Sequence, residues 1–157
     1  MERVSMAYDE DTLNDLHDRP MTGRRQRMSS DGTIYAFDAI RGLREIVAQY
    51  GPDTTRQCQY VEYAGGTDYD EQDETPVAPH CIVGHFLHRN GVSLEVLQSV
   101  EGESIRGAAV EIADLLKIDA QAAEVLWEAQ TTQDTGYTWG KALEAAEATF
   151  AAQKEGN

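Results

Sequence analysis

From Cys81 to the C-terminus the sequence is a series of short apolar-periodic stretches, each entered through a residue that caps a helix and left through a turn residue. The first runs from Cys81 to Asn90-Gly91. Ser93 then caps "LEVLQSV", Ser104 caps "IRGAAVEIADLLK", and Asp119 caps "AQAAEVLWEAQTTQ". Gly136 and Thr138 separate that stretch from "WGKALEAAEATFAAQ". Helical spacing puts Ile105, Ala108, Ile112 and Leu115 on one face of the third segment, and Trp139, Leu143, Ala146 and Phe150 on one face of the last. Connections this short make neighbouring helices run antiparallel or cross in a compact bundle.

The segment before Cys81 is of mixed type. "IYAFDAIRGLREIVAQYGP" carries Phe37, Ile40, Leu43 or Arg44, and Val47 at helical spacing, widened by Ile46 and Tyr50 and stopped by Gly51-Pro52. "QCQYVEY" alternates in the manner of a strand and meets the turn signal Gly65-Gly66, so a returning strand around Thr75–Ala78 completes a hairpin. The expected fold is therefore mainly α with a small β-hairpin, an α+β single-domain helical bundle. At 157 residues, such a domain buries a core without needing a disulfide or a metal. Residues 1–32 read as a flexible N-terminal arm, 33–153 as the globular domain with an acidic loop at 64–75, and 154–157 as a tail. Within the arm, the basic patch "RPMTGRRQR" lacks the aromatic residues that single-strand nucleic-acid modules use for stacking.

Charge narrows the possible partners. Twenty-eight acidic residues against thirteen Lys and Arg give a net charge of −15. Met1–Arg56 holds eight bases and ten acids, a net of −2, whereas Gln57–Asn157 holds five and eighteen, a net of −13. This field opposes binding to nucleic-acid phosphates and to anionic membranes, and it favours a protein partner with a basic surface. No apolar run approaches the ~18 residues of a membrane span, and no signal peptide is recognised. With only Cys58 and Cys81 present, the expectation is a cytoplasmic protein with reduced thiols.

The charge is densest in the hairpin. Glu62, Asp68, Asp70, Glu71, Asp73 and Glu74 lie between Tyr60 and Thr75, and no Lys or Arg occurs from Gln57 to His88. Asp68, Asp70 and Asp73 do not follow the spacing of an EF-hand loop, and the glycine needed at its middle is missing, so a solvated acidic loop is preferred to a calcium site. Glu62, Asp68, Tyr69, Asp70, Glu71, Asp73 and Glu74 are the candidate partner-binding residues. Tyr60, Tyr63 and Tyr137 are further candidate aromatic anchors.

"PHCIVGHFLHRNG" gathers one of the two cysteines and three of the four histidines. On a helix beginning at Cys81, the residues Cys81, His85 and His88 fall at i, i+4 and i+7, within about 60° of one another. Ile82, Val83, Phe86 and Leu87 occupy the opposite arc, so the expected core-facing side is not the one bearing the thiol and imidazoles. Three readings compete. Zinc could be held by Cys81, His85 and His88 with Cys58 or His80 as a fourth ligand, although the spacing is not that of a standard finger or knuckle. Cys81, at a helix N-terminus beside His80, could be a thiolate nucleophile. The favoured reading is structural, with Cys81 packed beneath the hairpin and the histidines at a boundary or on the surface; it needs no cofactor.

Other motifs are weaker. "LLKIDAQAAEV" has the outline of a helix-turn-helix turn, but the following helix carries Glu124 and Glu128 with no Lys or Arg, the wrong charge for DNA. No phosphate loop, nucleophile elbow or Ser-His-Asp order is present.

The segments "YVEYAGG", "PHCIVGHFLHRNGVSLEVL" and "AQTTQDTGYTWGKALEAA" resemble those of a group of small uncharacterised proteins of actinobacteria and their bacteriophages. The resemblance spans approximately Tyr35–Ala146, and its most distinctive parts are Cys-Ile-Val-Gly-His and Gln-Asp-x-Gly-x-x-Trp-Gly. The acidic insertion and the Arg-rich arm are departures from it. It supplies no catalytic residue and implies a phage or mobile-element setting, in which small acidic proteins often act on host proteins. The resulting expectation is a non-enzymatic acidic interaction protein that modulates a basic host protein, in its sharpest form as a DNA mimic. The alternative is a metal-binding or thiol-dependent protein using Cys81, His85 and His88.

Overall fold

A computed structural model describes residues 31–56, 59–64 and 74–156. The N-terminal arm through residue 30, Cys58 and the loop residues Asp68, Tyr69, Asp70, Glu71 and Asp73 lie outside the described residues. The elements in order are α1 (Ala36–Tyr50), β1 (Val61–Tyr63), β2 (Pro76–Pro79), α2 (Ile82–Arg89), α3 (Leu94–Ser99), α4 (Ile105–Glu111), α5 (Ala120–Asp134) and α6 (Trp139–Glu155). The architecture is thus mostly helical with a two-stranded antiparallel sheet, as the sequence pattern predicts. No helix among the described residues is long and apolar enough to cross a membrane.

Local chemistry accounts for the helix ends. Asp38 reaches back one turn to accept the Tyr35 N–H at 2.9 Å, and α1 stops at Gly51, whose φ of 101° suits a residue without Cβ. Ser93 accepts from Val96 N–H, Asp119 from Gln121 N–H and Thr138 from Lys141 N–H. Ser104 occupies the N-cap of α4 but makes no side-chain capping bond. The orphan N–H of Ile105 is met from elsewhere in the fold, as described below.

The long helices α1, α5 and α6 pack on one another around a core of Ile40, Leu43, Ile46, Leu126, Ala129 and Trp139. Ala122 and Ala129 of α5 and Ala142 and Ala146 of α6 are fully buried, and their small side chains let the two helices lie close. Leu143 and Phe150 of the expected α6 stripe are only partly buried against this core. An isolated parallel bridge, Ile34 to Ile118, ties the entrance of α1 to that of α5 through Ile34 N–H to Lys117 O and Asp119 N–H to Ile34 O, at 2.8 and 2.9 Å.

That bridge explains a departure from the sequence expectation. The helix read as "IRGAAVEIADLLK" ends at Glu111, and the chain then turns. Leu116 goes into the core while Leu115, expected on the buried face, is exposed. A continued helix would rise only about 1.5 Å per residue and keep its own direction, whereas the turn brings Lys117 within hydrogen-bonding reach of Ile34.

Candidate functional site

The hairpin and α2 meet at one glycine. A Cβ on Gly84 would lie 2.5 Å from the backbone carbonyl oxygen of Tyr60, so the chain entering β1 crosses α2 at a distance that only glycine permits. β1 and β2 pair antiparallel, Val61 with Pro79 and Glu62 with Ala78, with an irregularity after Glu62. Glu101, at the end of α3, fastens this unit: its carboxylate accepts from Tyr60 N–H at 2.9 Å and from Val61 N–H at 3.1 Å. The Tyr63 hydroxyl contacts the same carboxylate at 3.4 Å. Desolvation, followed by the Glu101 charge, holds the Tyr63 phenol above its usual range.

Covered from this side by the hairpin and from others by α1, α3 and α5, α2 is buried nearly all round. Cys81 is packed inside, as the favoured structural reading expects, and His88 lies at a boundary, but the expectation that His85 also lies at a boundary or on the surface is corrected. Cys81 is 2% exposed and His85 8%; of the three, only His88 is half-buried.

Each member of the stripe has its own structural partner. Cys81 is the N-cap residue of α2, and its Sγ accepts from Gly84 N–H at 3.3 Å. Burial pushes this thiol up to about 12, far outweighing the lowering effect of the Gly84 N–H. It is a free thiol held neutral at physiological pH, so desolvation overrides the activation that the alternative thiolate reading would draw from the helix N-terminus. His85 lies against Tyr50 and Trp139, with ring centroids 4.6 and 5.6 Å away. Burial, then the charges of Arg89 and Arg56, depress this imidazole to about 4. His88 Nδ1 donates to the Val92 carbonyl at 3.0 Å. His80 Nδ1 sits 3.3 Å from Glu62 Oε2 at the hairpin edge. Among the described residues no three His, Cys, Asp or Glu side chains form a group that could hold a metal ion.

Of the candidate partner-binding residues, Glu62 and Glu74 are described. Glu62 faces His80 with its side chain 46% exposed. Glu74 is exposed, and its backbone carbonyl accepts from Gln98 Nε2 at 3.1 Å. Among the tyrosines, Tyr60 is buried and so cannot anchor a partner, Tyr63 is half-buried, and Tyr137 is exposed.

Two glutamines that sequence reasoning missed hold the region together. Gln130 Oε1 accepts Ile105 N–H at 2.8 Å, and its Nε2 donates to the Tyr60 hydroxyl at 2.9 Å. That hydroxyl donates onward to the Glu103 carbonyl at 2.8 Å. Gln133 Oε1 accepts both Ile82 N–H, at 2.9 Å, and the Trp139 indole N–H, at 3.1 Å. The available signal was their placement on α5 at i and i+3, directly after the buried pair Leu126 and Ala129. The cleft between Tyr60, Cys81, Glu101 and Gln130 has room for about one water molecule. These groups are engaged in holding the hairpin and the helix starts.

The outer surface has a different character. Arg41 and Arg89 are buried, Arg89 beside Glu45 at 3.9 Å and hydrogen-bonded to Gln49. Arg44, Arg106 and Lys141 are each matched to Glu147, Glu124 and Glu144. Glu74, Glu95, Glu111, Asp114, Asp134 and Glu155 are exposed, and no ion pair engages them among the described residues. Compared with known proteins, the chain matches no family model, no curated protein and no solved structure.

Proposed function

We propose that this is a non-enzymatic acidic interaction protein of phage origin that works in the cytoplasm by binding a basic protein surface and altering that partner's activity. The observation that carries this reading is the state of its surface charge. Three of the exposed bases are already matched to carboxylates, while other carboxylates stand exposed in a chain of net charge −15. Such a surface speeds encounter with a basic partner and selects against anionic ones. The hairpin is the proposed contact, through Glu62, Asp68, Tyr69, Asp70, Glu71, Asp73 and Glu74. A DNA-mimic form of the same function would place these carboxylates on a nucleic-acid site of a host protein.

The test is capture from an actinobacterial lysate at low and then moderate salt, with the chain carrying Glu62→Gln, Asp68→Asn, Asp70→Asn, Glu71→Gln, Asp73→Asn and Glu74→Gln as control. A partner lost both on raising salt and on neutralisation supports the reading. One retained under both conditions overturns it. Competition by duplex DNA for that partner separates mimicry from general acidic docking.

A further inference from the structure

Asn90 and Gly91 end α2 in a tightly bonded turn. Gly91 N–H donates to the His88 carbonyl and Val92 N–H to the Leu87 carbonyl, both at 3.1 Å. These are the paired bonds of a Schellman cap, with Gly91 in the left-handed region at a φ of 98°. The Asn90 side chain completes the cap from inside: its Nδ2 donates to the Phe86 carbonyl at 2.8 Å, and the residue is 2% exposed. Of the three asparagines in the chain, only Asn90 precedes a glycine.

This pair of residues has a chemistry of its own. The Gly91 nitrogen and the Asn90 carboxamide carbon can close a five-membered ring, and glycine carries no side chain to hinder the approach. The nitrogen bonds to Cγ, the Cγ–Nδ2 bond breaks, and ammonia leaves with the proton that the nitrogen gives up. A cyclic imide then joins the two residues. Water opens it at either carbonyl. Cleavage at Cγ leaves an ordinary aspartate, whereas cleavage at the main-chain carbonyl leaves an isoaspartyl link, in which the side-chain CH2 has entered the backbone. In sum, one carboxamide and one water become one carboxylic acid and one ammonia.

The fold closes each entry to this reaction. The attacking N–H is held by His88 O, the carboxamide is drawn back along α2 by Phe86 O, and burial keeps water from it. Asn90 Oδ1 is buried and accepts no hydrogen bond among the described residues, so charge developing on it during attack would go unstabilised. The products are shut out in turn. An aspartate would set a carboxylate oxygen against the Phe86 carbonyl, at the negative end of α2. An isoaspartyl link would lengthen the main chain within the cap and pull the Gly91 and Val92 N–H groups off their carbonyls. We propose that Asn90–Gly91 is a deamidation site gated by unfolding: closed in the folded chain, opened when the chain unfolds, and leaving a product that cannot regain this fold. Each excursion to the unfolded state thus exposes the chain to an irreversible loss.

The test incubates the full chain with reductant at mildly alkaline pH, in buffer and in urea, and follows the Asn90 peptide by mass spectrometry. The inference expects conversion at least about tenfold faster in urea, with isoaspartate among the products. Gly91→Ala should slow conversion in urea, where folding plays no part. In buffer, Gln130→Ala lowers stability without touching the α2 cap and should speed conversion about fivefold or more. When chain aged in urea is diluted into buffer, the folded fraction isolated by size exclusion should hold only intact Asn90. Equal rates in buffer and urea overturn the inference, as does conversion in urea that Gly91→Ala leaves as fast. A rate in buffer that Gln130→Ala does not change overturns the gate, because the opening is then local to the end of α2. Deamidated chain recovered in the folded fraction overturns the bar to refolding.

Discussion

The side-chain amide of Gln130 donates to the Tyr60 hydroxyl at 2.9 Å across seventy residues of sequence, and its carbonyl oxygen accepts the first N–H of α4. One buried glutamine therefore satisfies the orphan N–H of Ile105, at a helix start where Ser104 makes no capping bond, and holds the hairpin tyrosine in place. Gln133 accepts the first N–H of α2, alongside the Cys81 cap, and the indole N–H of Trp139. Leaving a buried donor without its acceptor costs about 1–3 kcal/mol. Gln130→Ala and Gln133→Ala should each lower unfolding stability by roughly that amount in urea titration. Gln121→Ala, at an exposed position of the same helix, should stay within about 0.5 kcal/mol of the parent.

Gly84 and Gly107 should respond oppositely to alanine. The Gly84 Cβ would strike the Tyr60 backbone, which cannot move without disturbing the bonds from Glu101, so Gly84→Ala should cost on the order of 1–3 kcal/mol. At Gly107 the obstacle is the flexible end of Glu103, and the helix gains up to about 1 kcal/mol from losing a glycine. Thermal midpoints that fall for Gly84→Ala and hold or rise for Gly107→Ala would bear this out.

His85 gives stability a pH dependence of defined sign. Its folded-state value of about 4 lies below the ordinary 6.5, so as pH falls through that window the unfolded chain takes up a proton that the folded chain refuses. The contribution is whole above pH ~6.5 and is lost progressively towards pH ~4, on the order of 3 kcal/mol in total. Arg89, Arg56, His80 and His88 all oppose protonation of His85. Unfolding measured from pH 7 to pH 4 should show a shallower decline in His85→Phe than in the parent chain.

Cys81 should be inert while the protein is folded. With Cys58→Ser in the background, iodoacetamide should label Cys81 far more slowly than a free thiol at pH 7.5, and denaturant should restore the ordinary rate. The cause is the absence of thiolate in a buried, neutral cap. Rapid labelling of the folded chain would return Cys81 to consideration as a nucleophile.

The sequence by itself determined the order of helices and hairpin, because caps such as Ser93, Asp119 and Thr138 act within a few residues and apolar periodicity reports one face of one helix. It also determined the net charge of the molecule. Which side chains that charge leaves exposed was settled by folding, as with the burial of Arg41 and Arg89. Only the tertiary structure decided that the Cys81–His85 face is enclosed, since a helical wheel gives the angle of a side chain and not what other elements bring against it. The choice of Leu116 over Leu115 for the core, and the pairing of Gln130 with Tyr60, likewise depend on contacts between segments far apart in the chain. Their energies arise when the buried surfaces meet, and no short window of sequence contains both partners.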